Sequence, residues 1–165
     1  VDIIEKPIMP CTLRQSITQV LAPTANISSV ESKLNEIPQL SDFSVLLVED
    51  NLLNQKVAKA FLADTHINID CANDGEIALQ KMKQYTYDIV LMDVQMPNMD
   101  GLTAASVIRH DLKLTELPII AMTAHAMEGD VDKSKQAGMN EHLTKPISPE
   151  KLYQTLVKYL QPLSR

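Results

Sequence analysis

Five short apolar runs, each ended by polar residues and followed by a helical stretch, constrain what residues 44 to 161 can fold into. Ser44-Val45-Leu46-Leu47-Val48 is the first and runs into Glu49-Asp50. An unbroken apolar run of this length suits a strand covered on both faces. Asn51 to Ala63 then has helical spacing, with Leu53, Val57, Ala60 and Phe61 on one side. Ile67 to Ala72 is the second strand; Asn73-Asp74-Gly75 is a turn, and Asp74 caps a helix over Glu76 to Gln84. Asp88 to Met92 is the third strand and ends at Asp93. After the loop Met96-Pro97-Asn98-Met99-Asp100-Gly101, Asp100 caps a helix reaching Asp111. Pro118 to Met122 is the fourth strand and ends at Thr123. A helix over Glu128 to Ala137 is stopped by Gly138. Glu141-His142-Leu143 is a short fifth strand ending near Lys145-Pro146, and Pro149 opens a last helix running to about Leu160.

Five such βα units imply an α/β fold, a doubly wound parallel sheet with helices on both faces. Ligands of such sheets sit at the carboxyl ends of the strands. Glu49, Asp50, Asp93, Thr123 and Lys145 all fall at those ends, so distant positions converge on one rim.

Three carboxylates on one rim repel each other, and a hard divalent cation with oxygen ligands relieves that repulsion. Mg²⁺ fits best, because it keeps several waters and needs only one or two carboxylates plus phosphate oxygens. Nothing supplies a Cys/His set for zinc. A calcium loop built around Gly101 would need Met96 and Val107 as ligands, and neither can serve. A carboxylate such as Asp93 can attack phosphorus and form an acyl phosphate. Lys145 would supply a compact positive charge and Thr123 a hydroxyl donor to the transferred group.

The bulk numbers fit one domain plus extra chain. With 15 basic and 21 acidic residues, a net charge of −6, and no Lys/Arg cluster, nucleic acid is excluded as a direct partner; a basic or metal-bearing partner fits better. Cys11 and Cys71 have no metal spacing and read as reduced thiols of a cytoplasmic protein. No apolar run approaches the roughly 20 residues of a membrane span.

The first 43 residues differ. Lys6-Pro7-Ile8-Met9-Pro10 repeats Lys145-Pro146-Ile147-Ser148-Pro149, and Leu13, Gln15, Ile17 and Leu21 repeat Leu152, Gln154, Leu156 and Leu160. Residues 1–21 therefore read as the last helix of a preceding domain of the same kind. Residues 22–42 read as a linker, with a short helix at Ser29 to Ile37, and 43–165 as the main domain. The stripe Leu13, Ile17, Val20 and Leu21 predicts that residues 10–21 pack on the main domain or on a second chain, since so short a helix is marginal alone.

Four stretches, Val48-Glu49-Asp50-Asn51, Leu91 to Gly101, Ala121-Met122-Thr123-Ala124-His125-Ala126 and Leu143-Thr144-Lys145-Pro146-Ile147, resemble the receiver domain of two-component response regulators. The resemblance is strongest to the C-terminal receivers of hybrid sensor histidine kinases and covers residues 44 to 161. It implies a flavodoxin-like fold with strand order 2-1-3-4-5 and an N-terminal helical extension. It implies Asp93 as phosphoacceptor, with Asp50, Glu49, Asp93 and the Gln95 backbone carbonyl around Mg²⁺. Thr123 would swing toward the phosphoryl group and Lys145 would contact it, with a cis Lys145-Pro146 peptide. The family's switch aromatic is replaced by His142, and Gln95 and His125 occupy positions that tune dephosphorylation. The implied partners are a histidine kinase or a histidine-containing phosphotransfer domain, and the implied parent is a hybrid kinase anchored in the inner membrane. A haloacid-dehalogenase-type phosphatase would need a second Asp where Gln95 stands, and a phosphorylation-independent pseudo-receiver would not need the complete rim set. No ATP-binding kinase motif is recognisable in these residues.

Overall fold

The computed structural model describes residues 37–160 except Ala126. The repeat in residues 1–21, the helical stripe at 10–21 and most of the linker lie outside the described residues. Five strands alternate with five helices: β1 (Ser44–Val48), α1 (Leu52–Ala63), β2 (Asn68–Ala72), α2 (Gly75–Gln84), β3 (Ile89–Asp93), α3 (Gly101–His110), β4 (Ile119–Thr123), α4 (Glu128–Gln136), β5 (Glu141–Thr144) and α5 (Pro149–Leu160). All pairings are parallel, in the order β2-β1-β3-β4-β5. The doubly wound reading therefore holds, with element ends shifted by a residue or so.

The apolar runs divide by parity, because successive strand residues point to opposite faces. Leu46, Val48, Val90, Met92, Ile119 and Ala121 pack under α2 and α3, against Ala78, Leu79, Ala104, Ala105 and Ile108. Val45, Leu47, Ile89, Leu91, Ile120 and Met122 pack on the other face, against Ala58 and Leu62 of α1 and Leu152, Leu156 and Leu160 of α5. Each such large side chain, fully buried, contributes roughly 1.5–3 kcal/mol relative to exposure. Leu40 joins the second face at 1% exposure, and its N–H donates to Thr65 O at 2.7 Å. Packing thus begins upstream of the boundary read at residue 43, because one apolar side chain in the last linker residues finds a place between α1 and β2.

Caps fix the helix starts. Asn51 accepts from the N–H groups of Leu53 and Asn54, Asp74 from Ile77, and Asp100 from Thr103. Gly138, at φ +97°, ends the turn after α4. The face of α1 departs from its sequence pattern. Gln55, Ala58 and Leu62 face the core, while Leu53 and Val57, read from the periodicity as one apolar side, are exposed, as is Leu52. The sheet selects the face whose side chains fit beside β1, and that face contains a polar residue.

Candidate functional site

The strand order reverses between β1 and β3, and that switch point is where an open α/β sheet leaves a crevice beyond its carboxyl edge. Glu49 and Asp50 follow β1 and Asp93 closes β3. One carboxylate oxygen from each lies within 4.8 Å of the other two. Glu49 and Asp93 are buried, at 1% and 4% exposure, and Asp50 is exposed.

Lys145 joins this group from the far end of the sheet. Its Nζ donates to Glu49 Oε2 at 2.7 Å and to Asp93 Oδ2 at 2.8 Å. Asp93 Oδ1 accepts from the Gln95 N–H at 3.0 Å. Burial and the Glu49 charge push the Asp93 carboxyl above its ordinary range, against the pull of Lys145 and the Gln95 N–H. Burial alone would depress Lys145, but its bonds to Asp93 and Glu49 outweigh that and hold its ammonium above the usual range. One ammonium therefore serves two buried carboxylates, with Asp50 beside them. The donor set is all oxygen, and its excess negative charge suits a hard divalent cation.

Thr123 ends β4 next to this group. The Lys145 N–H donates to Thr123 O at 2.8 Å, and the Lys145-Pro146 peptide is cis. The Thr123 hydroxyl donates to His125 O at 2.7 Å, and no hydrogen bond among the described residues joins it to Asp93. The Gln95 and His125 side chains are exposed beside the rim. His142 lies on β5, where its Nε2 is buried without a hydrogen-bond partner, and burial lowers its pKa.

Two site residues escaped the sequence reading. Asn54 Nδ2 donates to Glu49 Oε1 at 3.1 Å, and Gln55 Nε2 donates to Glu49 O at 2.6 Å and to Asn73 Oδ1 at 2.8 Å. The available signal was Gln55 itself, spaced i, i+3, i+7 with Ala58 and Leu62 on the buried face of α1. Beside these amides, Asn54, Val57, Lys145, Pro146 and Ile147 line a groove of about 120 Å³.

Residues 45–157 match the response regulator receiver domain family. This chain belongs to that family. Receivers of this kind serve two-component phosphorelay systems, and the five-stranded order found here is theirs. The chain is 36% identical over 157 residues to the signal transduction histidine-protein kinase BarA of Escherichia coli, covering 93% of this chain and 16% of that protein. It is 35% identical over 158 residues to the sensor protein GacS of Pseudomonas syringae, covering 93% of this chain and 17% of that protein. It therefore spans about a sixth of the length of these curated relatives. Among solved structures, it resembles the receiver domain of a sensor histidine kinase from Pseudomonas aeruginosa that carries a magnesium ion in its active-site cleft. That receiver is 37% identical, with TM-score 0.67, over 72% of this chain and 98% of that chain. It also resembles, at 29% identity and TM-score 0.70 over 79% of this chain and 96% of that chain, the complex of the Saccharomyces cerevisiae histidine phosphotransfer protein Ypd1 with the receiver domain of Ssk1. None of the described helices is long and apolar enough to cross a membrane.

Proposed function

We propose that this receiver takes a phosphoryl group from a phosphohistidine onto Asp93, using Mg²⁺ held by Glu49, Asp50, Asp93 and the Gln95 carbonyl. The observation that carries this reading is the buried Asp93 carboxylate, joined through Lys145 to Glu49 and lying within 4.8 Å of two further acids. A Mg²⁺ ion bound there supplies positive charge that offsets the charge of the transferred oxygens.

The chain's own groups do the rest. An Asp93 oxygen forms the new O–P bond as the donor's N–P bond breaks, and the electron pair of that bond leaves with the imidazole. Asp93 is held for this by the Gln95 N–H on one oxygen. Lys145 already lies against the other oxygen and is charged, so it can follow the developing charge with little rearrangement. Thr123 exchanges its bond to His125 O for one to the phosphoryl group, and His142 responds on the neighbouring strand. Freeing His125 O from that bond would carry the signal into the loop before α4.

The partner is a histidine-containing phosphotransfer domain or a kinase domain. Leu53 and Val57, four residues apart on α1, are both exposed, and Val57 lines the groove that Lys145 itself lines, so a docked helix there would bring its histidine close to Asp93. The parent protein is a hybrid sensor histidine kinase, in keeping with the relatives it matches, and residues 1–21 are the tail of a second receiver-like domain.

Incubation with acetyl phosphate, followed by intact mass, tests the chemistry. A gain of one phosphoryl group that needs Mg²⁺ and is lost in Asp93→Asn supports it. Absence of any gain in the wild type overturns it in favour of a pseudo-receiver.

A further inference from the structure

Glu49 is gripped from α1 at two points. Consecutive helical residues point about 100° apart, so neighbouring side chains rarely serve one target. Here Gln55 Nε2 reaches the Glu49 backbone carbonyl at 2.6 Å and Asn54 Nδ2 reaches its carboxylate Oε1 at 3.1 Å. The Asn51 N–H adds a longer contact to the same Oε1, at 3.3 Å. With Oε1 so engaged, Oε2 faces Lys145 at 2.7 Å, and Lys145 in turn reaches Asp93 at 2.8 Å. A continuous series of polar contacts thus runs from Asn54 on α1 through Glu49 and Lys145 to Asp93 on β3.

The Glu49 side chain is 2% exposed, so no bulk water substitutes for a lost donor. Gln55 fixes the backbone of Glu49, while Asn54 fixes how the carboxylate is turned about its last bond. That rotation decides which oxygen faces Lys145 and how the three acids present themselves to a cation.

We infer that Asn54 is a positioning residue: its amide sets the Glu49 carboxylate so that the acidic trio can hold a divalent cation while Lys145 stays on Asp93. This rests on the reading of the rim as a Mg²⁺-dependent phosphoacceptor site. Asn54 also lines the groove with Val57 and Lys145, so one residue both holds Glu49 and borders that groove. Groups that orient metal-binding carboxylates typically change metal affinity by about 10- to 100-fold when removed.

The test is a Mg²⁺ titration of the whole chain without phosphodonor, followed by amide NMR shifts around residues 48–51 and 93–95. Thermal unfolding of each variant is measured alongside. Asn54→Leu keeps the side-chain size and removes the donor; Asn54→Gln keeps the donor; Ala60→Ser, on the exposed side of α1, is the control. The expected result is an affinity about tenfold weaker in Asn54→Leu, recovered in large part by Asn54→Gln and unchanged in Ala60→Ser, with a similar unfolding midpoint throughout. Equal affinities for wild type and Asn54→Leu overturn the role of Asn54 while leaving the phosphoacceptor reading intact. Weaker binding in Asn54→Leu and Asn54→Gln alike, with a fall in both unfolding midpoints, also overturns it, because Asn54 then only supports the fold. No Mg²⁺ response in the wild type overturns the phosphoacceptor reading itself.

Discussion

Lys145 Nζ lies 2.8 Å from Asp93 Oδ2, although 52 residues separate them in the chain. The contact spans β4, which stands between β3 and β5 in the sheet. It makes one ammonium the counter-charge of two buried acids, since Glu49 Oε2 is 2.7 Å away.

Lys145→Met therefore leaves two like charges buried together without compensation. Removing one partner of a buried ionic group costs about 3 kcal/mol or more. We expect the variant to lose about that much in urea unfolding in metal-free buffer, and to label with acetyl phosphate at least about a hundredfold more slowly. An unchanged urea midpoint would contradict the counter-charge role.

Asp93→Asn is expected to abolish labelling yet raise stability. Burial holds the Asp93 carboxyl above its unfolded range, so the native state binds more protons than the unfolded state across that window. The contribution of Asp93 to stability is present at low pH and is lost as pH rises through its folded value. Asn carries no charge at any pH, so the variant should melt higher than wild type at pH 7 without Mg²⁺. The gap should close toward pH 4. Melting curves at the two pH values decide it.

Gly101 packs against the backbone that carries Asp93. A Cβ there would collide with the carbonyl oxygen of Asp93 and stand 3.0 Å from its carbonyl carbon and from Val94 Cα. The Gly101 N–H also donates to Val94 O at 3.1 Å. Gly101→Ala must push the loop off the end of β3. A loss above about 4 kcal/mol, or failure to fold, is expected in denaturant unfolding. A mild effect would mean that this close approach is not needed.

His142 gives the stability a pH dependence of opposite sign. Burial lowers its pKa, with Lys135 adding to the effect and Glu141 opposing it. Its Nε2 has no hydrogen-bond partner to offset protonation. Below about pH 6.5 the unfolded chain takes up a proton that the folded chain resists, so the unfolded state binds more. The contribution of His142 is present above that pH and lost as pH falls through the folded value. Comparing urea midpoints at pH 7.5 and 5.5, His142→Phe should lose less than wild type. Equal losses would show that the ring is not held neutral.

Leu53→Asp tests the docking face on α1. Leu53 is 68% exposed, so the change should leave thermal stability nearly untouched. Transfer from a phosphohistidine domain should fall about tenfold or more, as for a residue central to an interface. Labelling by acetyl phosphate, which requires no docked partner, separates loss of docking from loss of chemistry.

Most of the fold was legible because its signals are local. An apolar run of five, a capping Asp and a closing glycine each act within a few residues, and all five strands could be placed from them. The rim was legible for a related reason: in a parallel sheet every strand points the same way, so residues ending apolar runs share one edge. That places Glu49, Asp50, Asp93, Thr123 and Lys145 on one rim.

Which way side chains turn on that frame depends on packing. Periodicity put Leu53 and Val57 on one apolar side of α1, but the sheet took the face with Gln55, Ala58 and Leu62 and left those two outside. Side-chain hydropathy cannot register that Gln55 meets a waiting carbonyl of Glu49 and an amide oxygen of Asn73, which makes its burial tolerable. Nor could spacing show that the Thr123 hydroxyl turns to His125 O, or that Lys145 bridges two acids at once. Those choices depend on which partners the folded backbone brings within 3 Å. Local signals along the chain are enough to end each strand, whereas the hydrogen bonds made by the residues at those ends depend on the packed backbone.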